Sequence, residues 1–174
     1  EFCPETGKFV CTHGGQGYDK NSAWSRGQSW AVYGFALCYR NTKDKRYLDA
    51  AKKCAHYCIA NLAVNDWLPL SDFKAPIEPI KYDSAAGTIL ACGFHEIAQH
   101  VDENEKNLYL KAAEKSLIAC ENEFGNWNHD QDFVLDGGSL EYHGDSFSNT
   151  PAIYGDYFLV ESILRFMDIE MDIW

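Results

Sequence analysis

The stretch YLDAAKK, Tyr47 to Lys53, returns as YLKAAEK at Tyr109 to Lys115, 62 residues further along. Each copy follows an apolar helical pattern and a polar link, YGFALCYRNTKDKR in the first and GFHEIAQHVDENEKNL in the second. The repeating unit is therefore a helical hairpin, and YFLVESILR has the pattern of the first helix of a third copy. A period of this length exceeds the roughly 33 to 34 residues of tetratricopeptide and ankyrin units and the roughly 40 to 47 of HEAT units, so long loops must separate the hairpins.

Apolar residues three and four apart predict helices over Ser22 to Thr42 with Ser22 as N-cap, Arg46 to Leu62, Asp83 or Ser84 to Val101, Glu105 to Phe124 and Ile153 to Ile169. The Gly- and Asp-rich segment from Gly125 to Pro151 predicts a long loop with a short hairpin. Helical hairpins with long aromatic loops on one face suit an all-α toroid, in which inner helices ring a funnel and the loops at their N-terminal ends form its mouth. SAAGTILACGF is apolar on two faces, as a helix between two neighbours must be. Two and a half hairpins leave end faces uncovered, so residues 1–174 are expected to be the C-terminal portion of one larger helical barrel, with an N-terminal half as its missing partner.

The totals narrow the partners. Fifteen basic against twenty-six acidic residues give a net charge of −11, with no basic cluster longer than KDKR, which disfavours nucleic acid. No apolar run approaches the roughly 20 residues that cross a bilayer, so no membrane partner is expected. EFCPETGKFV has neither the charged nor the apolar region of a signal peptide, although a chain starting at Glu1 leaves its native leader open. Most of the seven cysteines sit in apolar helical patterns, without a C-x-x-C or a completing His-x-His, and read as reduced thiols filling a core. That points to a reducing compartment.

Two tryptophans, an arginine and two glutamines crowd the segment QGYDKNSAWSRGQSW, Gln16 to Trp30. Arg26 and Trp30 share one helical face; the first offers a planar fork for a carboxylate, the second a flat apolar surface for a sugar ring. Gln16 and Tyr18 precede the helix where GGQG lets the backbone approach closely. Together they describe a receptor for a uronic acid. The same pattern also suits core aromatics at Trp24, Trp30 and Tyr33 with Arg26 in an ordinary ion pair.

QGYDKNSAWSRGQSWAVYGFAL, with PETGKFV before it and YLDAAKK, DSAAGTILACGFHEIA and IYGDYFLVESILR after it in the same order, resembles the unsaturated glucuronyl hydrolases, glycoside hydrolase family 88. The resemblance covers nearly the whole chain. Family 105, the unsaturated rhamnogalacturonyl hydrolases, is similar but usually reads W-x-R-G-N-x-W, and Gln28 favours the first. The resemblance implies an (α/α)6 barrel acting on a partner oligosaccharide whose non-reducing end is a 4,5-unsaturated uronic acid, in bacterial glycosaminoglycan degradation, in the cytoplasm or the periplasm. It implies hydration of a vinyl ether by an aspartic acid, with no metal or other cofactor. Gln16, Arg26 and Trp30 match the family's uronate-binding residues, and Tyr18 and Trp24 lie in the same motif. The catalytic aspartates fall upstream of that motif and outside this chain. Asp19, Asp72, Asp83, Asp136 and Asp156 are expected to fix loops and helix ends, and Tyr142 and His143 to line the far rim of the funnel. The alternative is a non-catalytic helical-repeat module binding through Trp67, Phe73, Trp127 and Phe133.

Overall fold

A computed structural model describes residues 1–169. Among these, α1 (Ser25–Thr42), α2 (Lys45–Ala63), α3 (Ser84–Ala98), α4 (Glu103–Phe124) and α5 (Ile153–Phe166) carry the fold. A two-stranded antiparallel ribbon, β1 (Gly138–Ser139) and β2 (Ser148–Thr150), interrupts the long loop before α5, pairing Gly138 with Thr150 and Ser139 with Ser148. The architecture is all-α, with the short hairpin where the loop composition placed it.

The first helices of the repeat, α1, α3 and α5, pack side by side with α3 in contact with both others, and the second helices, α2 and α4, pack on them. Every residue of α3 except His95 is buried, which is why its sequence is apolar on more than one face. A Cβ at Gly87 would lie 2.3 Å from Cys120 Sγ, so α4 can cross α3 here only over a glycine. The outer pair is tied by Lys52 to Glu105 at 2.6 Å and by a hydrogen bond between the Tyr109 hydroxyl and His56 Nε2 at 2.9 Å. Ala51 and its repeat counterpart Ala113 are both fully buried, in one core with Val32, Leu62, Leu90, Phe94 and Ile97. A second cluster of Tyr33, Ile89, Cys92 and Phe158 fills the space between α1, α3 and α5.

The first helix begins later than its sequence suggests. Trp24, not Ser22, occupies the N-cap position of α1 and makes no side-chain cap bond. The Ser22 hydroxyl is instead 2.5 Å from Asp72 Oδ2 and donates to Asp19 O at 2.7 Å. Asp44 caps α2 by accepting from the Arg46 amide, and Asp83 stands at the N-cap of α3 with its side chain turned elsewhere.

The C-terminal ends of the inner helices are fastened by buried charge. Arg165 of α5 reaches Glu96 of α3 at 2.9 Å and Glu161 of its own helix at 2.9 Å, while Arg40 of α1 and His100 meet the same Glu96 at 3.3 and 2.9 Å. Burial alone would raise the Glu96 pKa; His100, Arg165 and Arg40 outweigh it and hold the group below the ordinary carboxylate value. Tyr33 of α1 donates to Glu161 and receives a hydrogen bond from Arg165. All seven cysteines are free, Cys58, Cys92 and Cys120 buried as small hydrophobes. Among the described residues no helix is long and apolar enough to cross a membrane.

Candidate functional site

At the opposite, N-terminal end of the inner helices, a single cation joins them. Arg26 lies at the start of α1 and is 3% exposed. Its Nη1 donates to the Tyr154 hydroxyl of α5, its Nη2 donates to Ser139 O at 2.8 Å and Leu140 O at 2.9 Å, and its Nε is 3.4 Å from Asp83 Oδ2 at the start of α3. The Trp24 and Tyr154 rings also receive the guanidinium, 4.9 and 5.0 Å from their centroids. Arginine suits this position because its fixed fork of donors can serve several acceptors at once.

The segment leading into α1 is laid against the same ribbon. Gln16 Nε2 donates to Leu140 O at 2.9 Å, and the Tyr142 amide donates back to Gln16 O at 2.9 Å. Asp72 holds the segment from beneath, accepting from the amides of Tyr18, Ala23 and Lys74 at 3.1, 3.0 and 2.9 Å. A Cβ at Gly17 would come within 2.9 Å of Asp72 Oδ2, so this approach requires a glycine. Tyr18 then meets Tyr142 edge-on at 5.0 Å and stacks on His143 at 5.8 Å, and His143 Nε2 contacts Tyr18 O at 2.7 Å. That last contact needs the proton on Nε2.

Gln16, Tyr18, Trp24, Arg26, Tyr142 and His143 thus form one connected set. Tyr142 and His143 sit directly against Tyr18. Trp30, one turn along α1, stands apart from this set: it is 40% exposed and packs edge-on against Phe158 at 5.2 Å. The exposed groups are Gln16, Tyr18, Trp30 and His143, while Arg26 and Tyr142 support them from within. Trp24 Nε1 is buried and has no hydrogen-bond partner among the described residues.

Of the candidate aspartates, Asp72, Asp136 and Asp156 bind backbone amides and fix loops, as expected of them. Asp83 differs. It is fully buried, and burial raises its pKa from the ordinary 3.8 to about 6 despite the neighbouring Arg26. The amides of Ser139, Ala86 and Ala85 lie close to it, yet neither oxygen completes a hydrogen bond of good geometry. It touches Arg26, not solvent.

The sequence did not single out Tyr154, Lys81 or the carbonyls of Ser139 and Leu140. Lys81 donates to Tyr142 O at 2.7 Å and lies over the Tyr142 ring. These partners are over 50 residues from what they hold, and no local pattern announces them. The aromatic loops divide: Trp67 and Phe73 pack on the core, Phe133 is half-buried, and Trp127 is 56% exposed.

No protein-family model matches the chain. The unsaturated glucuronyl hydrolase of Bacillus sp. (strain GL1) is 33% identical over 168 residues, 94% of this chain and 44% of its own length. The unsaturated chondroitin disaccharide hydrolase of Streptococcus pneumoniae (strain ATCC BAA-255 / R6) is 34% identical over 176 residues, 95% of this chain and 42% of its own. A solved unsaturated glucuronyl hydrolase with dGlcA-Glc-Rha-Glc superposes with a TM-score of 0.88 at 33% identity, over 95% of this chain and 45% of that one. The helical hairpins are thus those of part of an α/α barrel, and the chain spans less than half the length of the relatives it matches. In sequence, in helix order and in the way its hairpins pack, the chain belongs to the unsaturated glucuronyl hydrolase family.

Proposed function

We propose that this chain supplies the substrate-binding side of a glycoside hydrolase that releases a 4,5-unsaturated uronic acid from the non-reducing end of lyase-generated oligosaccharides. Residues 1–174 are then the C-terminal portion of one (α/α)6 catalytic domain, and the remainder of the relatives' length carries the catalytic aspartates. The observation that carries the reading is the set of exposed polar and aromatic groups around the buried Arg26, at the end of the bundle where three inner helices begin, in a chain 33% identical to a glucuronyl hydrolase. Gln16 and Tyr18 present the first polar contacts, and Trp30 a surface for a sugar ring. Arg26 brings positive charge beneath these groups while clamping the ribbon before Tyr142 and His143.

In this reaction an aspartic acid protonates C4 of the vinyl ether and water adds to C5, returning its proton to the carboxylate. The hemiketal that forms at C5 then opens to a ketone, leaving a hemiacetal at C1 whose collapse breaks the bond to the remaining sugar and leaves the uronate as a keto acid. For this chain the work is to hold the uronate. An unsaturated chondroitin unit is the proposed substrate, in line with the name of the pneumococcal relative. Seven free cysteines support a reducing compartment such as a bacterial cytoplasm over the periplasm.

The test follows loss of the ultraviolet absorbance of the C4=C5 bond, using an unsaturated chondroitin disaccharide and the polypeptide extended to the full length of its relatives. Decay that falls at least about tenfold in kcat/KM on Trp30→Ala or Gln16→Ala supports the proposal, a loss of roughly 1.4 kcal/mol in transition-state binding. Decay only on unsaturated pectin fragments would reassign the substrate to the rhamnogalacturonyl class. No decay on either would reject the reading.

A further inference from the structure

We propose that Glu1, Cys11 and His13 form a binding site for a divalent transition-metal ion of the zinc class, separate from the sugar site. The first eleven residues fold back on themselves. The Cys3 amide donates to Lys8 O at 2.8 Å, the Val10 amide to Glu1 O at 3.0 Å, and the Glu1 nitrogen to Cys11 O at 2.7 Å. Phe2 and Phe9 pair across this turn with ring centroids 5.8 Å apart. The ladder sets residue 1 opposite residue 10, the Glu1 nitrogen reaches on to Cys11 O, and His13, two residues beyond Cys11, reaches back to the same place.

Three donor atoms of different chemistry converge there. Cys11 Sγ lies 3.6 Å from His13 Nε2 and 3.5 Å from Glu1 Oε2, and His13 Nε2 lies 3.0 Å from Glu1 Oε2. A tetrahedral zinc ion, with bonds of about 2.3 Å to sulfur and about 2.0 to 2.2 Å to nitrogen and oxygen, holds its ligand atoms roughly 3.3 to 3.6 Å apart. Two of the three edges already fit, and the third needs to open by only about 0.3 Å. Thiolate with imidazole and carboxylate selects zinc, cobalt and their neighbours over magnesium or calcium, which prefer oxygen alone.

Three protein donors leave the fourth tetrahedral position to water. The His13 and Glu1 side chains are 69% and 57% exposed, so an ion reaches the site directly from solvent. Cys3, the other thiol of this segment, turns toward Glu5 at 3.1 Å and takes no part. Among the described residues this is the one group of three or more potential ligands so arranged. An ion here would fasten the base of the turn to the segment that runs on through Gln16 to Tyr18.

The test is titration of the metal-stripped chain with Co2+, read through the thiolate-to-cobalt charge-transfer band in the near ultraviolet, followed by displacement with Zn2+. One equivalent is expected to saturate the band. Cys11→Ser should abolish it and Cys3→Ser should leave it intact. His13→Gln and Glu1→Gln should each weaken binding by about tenfold or more with unchanged circular dichroism. A band that never saturates, survives Cys11→Ser, or disappears in Cys3→Ser would overturn the proposal. None of these readings depends on hydrolase activity.

Discussion

Asp83→Asn isolates the competition between burial and Arg26 at the junction of the inner helices. In the folded chain the Asp83 carboxyl has its pKa raised from 3.8 to about 6, with burial the largest cause and Arg26 opposing it. A displacement of about two pH units corresponds to roughly 3 kcal/mol of differential stability. Its sign follows from proton counting. Between the two values the folded state binds the proton more tightly than the unfolded state, so folding is favoured at low pH and that advantage is lost as the pH rises through about 6. Asparagine cannot ionise, so it is free of this loss. Urea unfolding of both forms from about pH 4 to pH 7.5 should therefore show the variant gaining on the wild type as pH rises, by about 2 to 3 kcal/mol in total. The other carboxylates titrate in both proteins and cancel in the difference. A difference that stays flat, or wild type gaining on the variant with rising pH, would mean that the Arg26 charge matches or outweighs burial, and would refute the argument.

Gly87→Ala should destabilise by about 1 to 3 kcal/mol, because the new methyl meets Cys120 Sγ at 2.3 Å, and adding Cys120→Ala should recover much of the loss in a denaturant double-mutant cycle. Arg165→Met should cost about 3 to 5 kcal/mol in urea unfolding, since it removes the cation paired with the buried Glu161 carboxylate and takes from Glu96 one of its three basic partners. Asp72→Ala removes the acceptor shared by Tyr18, Ala23 and Lys74, and hydrogen exchange should speed at those three amides while the middle of α3 stays protected.

The helices were legible because their signal is local: apolar spacing located all five, and the repeat of Tyr47 and Tyr109 fixed the hairpin as the unit. The two-faced burial of α3 was readable for the same reason. Ser22 was misread because a serine ahead of an apolar run looks like a cap, whereas its hydroxyl is taken by Asp72, fifty residues away, and the helix starts three residues later. The candidate site was legible as a list but not as an arrangement. Arg26 stood out in the sequence, yet its burial depends on Asp83, Ser139, Leu140 and Tyr154, brought in by three other parts of the chain. The Glu1, Cys11 and His13 cluster was invisible for a related cause, since their spacing matches no metal motif until the turn between them folds.

The helices of the inner bundle and the ribbon at its mouth are fastened by different kinds of group. At the C-terminal ends, side chain meets side chain, so Arg165, Glu96 and Glu161 must be kept or exchanged together. At the N-terminal ends Arg26 and Gln16 hold the ribbon by the carbonyl oxygens of Ser139 and Leu140, atoms that every amino acid possesses. The residues of that loop can therefore be rewritten without loosening its mooring. One bundle can present many differently furnished mouths to its ligand, and variation in what is bound need not be bought with the stability of the helices beneath.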